Sequence, residues 1–367
     1  MGLENDTVRS LKLMILGVAF GTISFNINGG ISMTGYLKAL GASDFTFGLL
    51  YAIGPLAAPM QLLVSYMLER TKKRRAIFLV GGIIQRMSWL PFGLVPFFVP
   101  MEQPVLRIWI ASLFLMISAV LISSVNVPFF SLAADIVPMN IRGSYFALRS
   151  RIATMFAVVG GIATAWFLDT FTGFSSYAFV FTLSAVMGTL DIVCFFWVKF
   201  PPMAESSGSS ESPGHSEKFT HMMAGVFKNK KYMKFIVFMM LWQFSVNMAG
   251  PFYLVYLKNV VNLSNTLITA LVQILPSVCS IIFVRRWGRA IDSHGNKTIM
   301  QVANGILCVV SFIWVFVSDN AFALVFIVIA QFAGGCIAAG FDIGVNNIML
   351  GQAPKENRSM YIAVYFM

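Results

Sequence analysis

The chain has 367 residues, of which 57% are hydrophobic and only 11% charged, and its mean hydropathy is +0.78. A soluble domain carries about 25% charged residues, so this composition cannot clothe a water-soluble globule and also excludes a disordered chain and a secreted disulfide scaffold. The net charge of +11 arises from 26 Lys and Arg against 15 Asp and Glu. These positives cluster between apolar runs, which points to membrane topology and away from nucleic acid.

A helix needs about 20 apolar residues to cross roughly 30 Å of hydrocarbon. Complete runs of this kind fall at 11–34, 45–68, 76–99, 106–133, 145–170, 175–199, 234–257, 265–287, 298–318 and 321–350. An eleventh starts near Ser359 and stops at Met367, so the chain reads either as truncated within that span or as short of two helices. The runs are continuous and far longer than the ~10-residue alternating strands of a membrane barrel. The expected fold class is therefore an all-α polytopic membrane protein. The first run follows Arg9 and Lys12 but lacks a small-residue cleavage site and continues into Asn26 and Asn28, so it is read as a retained helix.

With the N-terminus inside, 22 Lys and Arg fall in inner segments and three, Lys38, Arg107 and Lys258, in outer loops. The remaining one, Arg86, lies inside a run. This asymmetry assigns the N-terminus to the cytoplasm and places the chain in the cell (inner) membrane, with the lipid bilayer as its first partner. The four cysteines sit in apolar runs without CxxC spacing and read as small buried hydrophobes, with no metal and no cofactor. The three histidines lie in inner loops, and no HExxH, GxSxG or phosphate-loop pattern occurs. The chain is thus not read as an enzyme, and any pumping draws on an ion gradient.

Residues 201–217 are rich in Ser, Gly, Pro and Glu and cannot bury enough apolar surface to order themselves. They divide the chain into a bundle over 1–200, a cytoplasmic linker over 201–233 and a second bundle over 234–367. Within the linker, Phe219, Met222, Met223, Val226 and Phe227 recur at helical spacing beside Lys228, Lys230 and Lys231, which predicts a helix in the membrane interface.

The two halves repeat each other. Tyr36-Leu37-Lys38 falls on Tyr256-Leu257-Lys258, Pro55 on Pro276 and Glu69 on Asp292. Pro138, Arg142, Tyr145 and Ala147 match Pro354, Arg358, Tyr361 and Ala363 at an offset of 216, which also sets Asn126 on Asp342. Parallel six-helix repeats are an architecture of secondary transporters, with the substrate site where the halves meet. Gly288, Asp292, Gly295 and Lys297 after the eighth run, the degenerate copy Ser65, Glu69, Lys72, Arg74 and Arg75, and the Pro-x-x-x-Arg turns after the fourth and tenth runs carry a resemblance. On these residues the chain resembles the major facilitator superfamily over essentially its whole length, with no subfamily legible. Two departures stand out: Ser65 and Lys72 replace the glycines of the first-half pattern, and the usual twelve spans are not completed.

The resemblance implies two pseudo-symmetric helical bundles and a cytoplasmic gate. In that gate, made of Glu69, Arg70, Arg142, Gly288, Asp292, Gly295 and Arg358, the carboxylates of Glu69 and Asp292 latch the inner side by accepting from the helix N-termini near Ser359 and Gly143 respectively. The same resemblance gives the cavity to runs 1, 4, 7 and 10, flanked by 2, 5, 8 and 11. Polar residues there are Asn26, Asn28, Asn126, Gln243, Asn247, Asp342 and Asn346, with Gln61 and Gln273 alongside; each either faces a polar cavity or bonds a neighbouring helix. Asp342 lies roughly 12 Å from the inner end of its helix by helical rise. There it serves as a coupling proton site, binds a cationic substrate group, or pairs statically with a base such as Arg149. Arg86 and Asp191 stand at similar depth on peripheral runs 3 and 6 and are expected to form a structural ion pair.

These readings converge on a secondary active transporter of a small solute working by alternating access, with proton symport preferred. Proton-coupled export of amphipathic compounds and a non-transporting relative acting as receptor or partner subunit remain the alternatives. A monomer is expected for a full-length chain.

Overall fold

The computed structural model describes residues 5–138, 141–201, 226–318, 322–352 and 364–365. Among them are ten helical spans long and apolar enough to cross a membrane: Asn5–Ala39, Asp44–Val64, Arg74–Phe98, Pro104–Ala133, Leu148–Thr170, Phe174–Trp197, Lys230–Asn259, Asn265–Ile291, Asn296–Phe316 and Ala323–Met349. They are numbered here as spans 1 to 10. Each overlaps one apolar run read from the sequence, and no strand occurs among the described residues. The linker segment 202–225, with most of the interfacial helix expected there, and the eleventh run up to residue 363 lie outside the described residues.

The chain divides into two compact units, 1–207 and 208–367. In the first, span 1 packs against spans 5 and 6, span 6 also against span 3, and span 4 against spans 2 and 3. Leu11, Met14, Phe78, Leu132, Ile192 and Phe195 fill the core where spans 1, 3, 4 and 6 meet. In the second unit span 10 packs along spans 8 and 9, around Tyr232, Phe235, Ala303, Phe341 and Val345.

The internal repeat extends to hydrogen bonds. Ser43 caps the start of span 2 by accepting from the Thr46 N–H, and Ser264 caps the start of span 8 by accepting from the Leu267 N–H, both at 3.2 Å. Each cap satisfies one of the backbone donors that a helix start leaves open. The Tyr36 hydroxyl donates to the Phe92 carbonyl at 2.5 Å, and the Tyr256 hydroxyl donates to the Val317 carbonyl at 2.6 Å. In both units the tyrosine of the Tyr-Leu-Lys segment therefore ties the first span of the unit to the far part of the third.

Two sequence expectations need correction. Arg107, counted as an outer-loop charge, is only 4% exposed. Its guanidinium donates to the Pro96 carbonyl at 3.1 Å and to the Val99 carbonyl at 2.8 and 3.0 Å, closing the C-terminal end of span 3. Helix ends leave carbonyls unsatisfied, and a buried arginine supplies the donors water would otherwise give. Arg74, counted among the basic residues of an inner segment, is only 3% exposed; its partners belong to the site described next.

Candidate functional site

The first unit carries a polar seam between spans 1, 3 and 6. The Arg86 guanidinium donates to the Asp191 carboxylate at 3.0 Å, and the two residues are 7% and 8% exposed. Gly17 and Gly21, one helical turn apart on span 1, make room for the carboxylate. A Cβ at Gly21 would stand 2.5 Å from Asp191 Oδ2, and one at Gly17 2.9 Å from Oδ1. Gly188, a turn before Asp191, makes room for Arg86 in the same way, since a Cβ there would stand 2.5 Å from Arg86 Cδ. The Arg149 guanidinium stacks over the Phe129 ring at 4.6 Å, and its charge also acts on Asp191. One turn outward, Ser184 donates to Asn28 at 2.5 Å and exchanges a 3.0 Å hydrogen bond with Ser24. Asn28 is thus held in a span 1–span 6 contact. Ser184, Gly188 and the Gly17/Gly21 pair were not singled out from sequence, although the small-xxx-small spacing of Gly17 and Gly21 is a readable signal of close helix approach.

At the inner end of this unit Arg74 joins three spans. It donates to Asp135 at 2.5 Å and Ser131 at 3.0 Å on the end of span 4, and to the Pro201 carbonyl at 2.7 Å beyond span 6. Asp135 was missed in the sequence because nothing marks a carboxylate at a helix end as a partner of one arginine among five basic neighbours. Lys72, standing where the resemblance expects glycine, has φ of 54°, and Gly295, at the matching turn of the second unit, has φ of 82°. The positive φ is shared, but ψ is 10° at Lys72 and 153° at Gly295, so only Lys72 adopts the left-handed helical conformation, at a steric cost to lysine. Arg70 is exposed at the end of this helix. The side chains of Glu69, Arg142 and Asp292, and residue Arg358 altogether, lie outside the described residues.

In the second unit Asp342 sits on span 10 with an exposed side chain, one residue from the buried Phe341. The helix turns Phe341 and Val345 into the core and leaves Asp342 off it. Asn346 follows a turn later, its side chain outside the described residues. Gln273 is half-buried within a π-helical segment, Ala270–Ile274, that interrupts span 8 just before Pro276. Such segments accumulate at functional sites. Span 8 approaches span 10 closely there: a Cβ at Gly335 would overlap the Pro276 backbone. Further in, the Trp287 indole N–H donates to the Cys336 carbonyl at 2.7 Å, and a Cβ at Gly340 would stand 2.5 Å from the Trp287 ring. At Gly288, by contrast, nothing among the described residues comes within 4 Å of an added Cβ.

The remaining amides are dispersed. Asn26 donates to the Thr22 carbonyl at 2.9 Å and Asn247 to the Gln243 carbonyl at 2.8 Å, each within its own helix. Gln243, Asn247 and Asn126 are exposed, and Gln61 is half-buried on the helix that continues span 2. Within the described units, the structure brings together Arg86 with Asp191 and Asn28 with span 6, and leaves the other amides apart.

No curated protein matches the chain. Among solved structures, a D-xylose-proton symporter superposes with a TM-score of 0.68 at 13% identity, covering 98% of this chain and 87% of its own. A bacterial homolog of the human lysosomal transporter Spinster gives 0.68 at 14% identity over 100% of this chain and 80% of its own. The nucleoside transporter NupG gives 0.64 at 16% identity over 99% of this chain and 87% of its own. At such identities these likenesses show a shared fold. Residues 13–367 match the family model of the Major Facilitator Superfamily, and the chain belongs to that superfamily.

Proposed function

We propose that the chain is a secondary active transporter that carries a small solute across the cell membrane by alternating access, with a proton taken up alongside it at Asp342. The observation that carries this reading is the placement of Asp342 within a membrane span. It is the one acidic residue within spans 7–10, and its side chain is exposed while Asp191, the other mid-span carboxylate, is enclosed with Arg86. A carboxylate placed within a span is costly to keep charged, and protonation removes that cost. A protonated Asp342 lets the loaded transporter reorient, and release of the proton on the inner side resets it. In the second unit Asn346, Gln243, Asn247 and Gln273 supply donors and acceptors for a polar, uncharged solute; Asn26, Asn28, Gln61 and Asn126 do so in the first. Pentoses and nucleosides, the solutes named for two of the structural relatives, are the first to try. The latch residues Glu69, Arg70, Arg142, Gly288, Asp292, Gly295 and Arg358 hold the inner side closed in the outward-facing state.

The test is uptake into proteoliposomes made with the full chain, under an inside-alkaline pH gradient. Asp342→Asn is expected to abolish gradient-driven accumulation while solute exchange persists, and Asp342→Glu to retain part of the accumulation. Accumulation by Asp342→Asn at the level of the unaltered chain removes the proton from Asp342.

A further inference from the structure

A cleft of about 550 Å³ opens at the inner end of spans 3 and 6, away from every residue assigned above to solute or proton. Lys72, Lys73, Arg74 and Arg75 line it together with Phe196 and Phe200, the Arg75 guanidinium donating to the Phe196 carbonyl at 2.9 Å, and no acidic residue lines it. Two features give it anion character. First, Lys72, Lys73 and Arg75 stand in one concavity beside Arg74, whose charge Asp135 offsets, and an anion relieves the mutual repulsion of the three. Second, the helix Arg74–Met87 starts here without a side-chain cap, and its own backbone ladder begins with Ile77 N–H to the Lys73 carbonyl. The N–H groups of the first turn therefore point outward from the positive end of the helix dipole. Arg74 itself is engaged by Asp135, Ser131 and Pro201 and serves to hold this end of the unit together.

The aromatic wall is apolar and faces outward. Phe196 is 43% exposed and the adjoining Trp197 59% exposed, at the end of span 6 where an aromatic belt meets the headgroup level. The Arg75 guanidinium lies over the Phe200 ring at 5.9 Å. Free phosphate would satisfy the cations and leave this wall bare. A lipid satisfies both, with its phosphate among the cations and its first methylenes on the phenylalanines. We propose that this cleft is a binding site for the headgroup of an anionic phospholipid of the inner leaflet. Basic pockets at that face are the usual receptors for such headgroups.

The experiment uses the full chain, extracted in mild detergent with a mixture of phosphatidylglycerol and phosphatidylcholine, and counts retained lipids by native mass spectrometry. The chain is expected to retain phosphatidylglycerol preferentially, and Lys72→Gln/Lys73→Gln/Arg75→Gln to lower that preference up to about a hundredfold, the effect of removing three basic residues each worth about 1 kcal/mol at a membrane surface. Arg74 is left intact because it holds the spans together. Lys228→Gln/Lys230→Gln/Lys231→Gln, with the same loss of charge elsewhere, is expected to keep the preference. An unchanged preference in the first variant, or an equal loss in the second, overturns the proposal. Displacement of the retained lipid by millimolar inorganic phosphate also overturns it, since the site then takes free phosphate. None of these readouts depends on transport.

Discussion

Replacing Asp191 with asparagine should destabilise the chain more than any other single change in the first unit. The carboxylate lies 3.0 Å from the Arg86 guanidinium, both residues are more than nine-tenths buried, and Gly17, Gly21 and Gly188 leave no slack around them. At an effective dielectric constant of about 20, two unit charges this close attract by about 5 kcal/mol. Asp191→Asn removes that attraction and leaves Arg86 buried without a counter-charge, with Arg149 nearby adding a second positive field. Breaking one side of a buried pair costs about 3–5 kcal/mol, whereas removing both sides with apolar residues of similar size is often neutral. A double-mutant cycle separates the two cases. Thermal unfolding is followed with a thiol-reactive dye in a chain whose Cys279, Cys308 and Cys336 are replaced by serine, so that the dye reports exposure of the buried Cys194. Asp191→Asn and Arg86→Met should each lower the melting temperature strongly, and Arg86→Met/Asp191→Leu should recover most of the loss. Because the pair is assigned a structural role, the double variant should still transport. The reasoning fails if the single losses simply add in the double variant, or if stability recovers while transport is abolished.

Other consequences are simpler to state. Arg107→Ala removes charge-assisted hydrogen bonds to the Pro96 and Val99 carbonyls, each worth about 1.5–3 kcal/mol, so it should lower the melting temperature by several degrees. Lys72→Gly relieves a left-handed backbone that costs an L-residue about 1–2 kcal/mol, and should raise stability slightly; a fall in melting temperature contradicts the strain. Gly340→Val drives a side chain into the Trp287 ring, and overpacking of this kind costs about 1–3 kcal/mol. It should weaken the second unit, and loss of the Trp287 fluorescence shift on unfolding reports it. Glu69→Gln with Asp292→Asn should shift the chain toward its inward-open state, read as faster cysteine labelling from the cytoplasmic side; unchanged labelling and transport remove the latch.

The spans were legible because each is a continuous apolar run longer than any buried soluble helix requires, and their order follows from charge counts. The repeat was legible in Tyr36-Leu37-Lys38 and Tyr256-Leu257-Lys258, and its physical content emerged only with the carbonyls that the two tyrosines reach. Depth counting along spans 3 and 6 set Arg86 and Asp191 at one level, which is the only information a helix rise can give; the glycines that close around them needed three helices at once. Arg74 and Arg107 were misread for the converse reason. A cation near a helix end looks like loop charge until the carbonyls and carboxylates of other elements are placed around it. The amides illustrate a third limit. Asn26 and Asn247 are polar residues in apolar runs, and sequence alone cannot say that each donates back into its own helix. Asp342 was conspicuous as a charge in hydrocarbon, yet its position beside and not within the core depends on how span 10 is rotated against spans 8 and 9.

Entrance counterflow tests alternating access most directly. Proteoliposomes carrying the full chain are loaded with unlabelled solute, and trace labelled solute from a panel of pentoses and nucleosides is added outside. The account predicts a transient overshoot of label inside for one class of solute, independent of any pH gradient and undiminished in Asp342→Asn. Net accumulation of that solute should require both the gradient and Asp342. Label that equilibrates without an overshoot for every solute in the panel, in vesicles containing folded protein, contradicts a site that opens alternately to the two sides for these solutes.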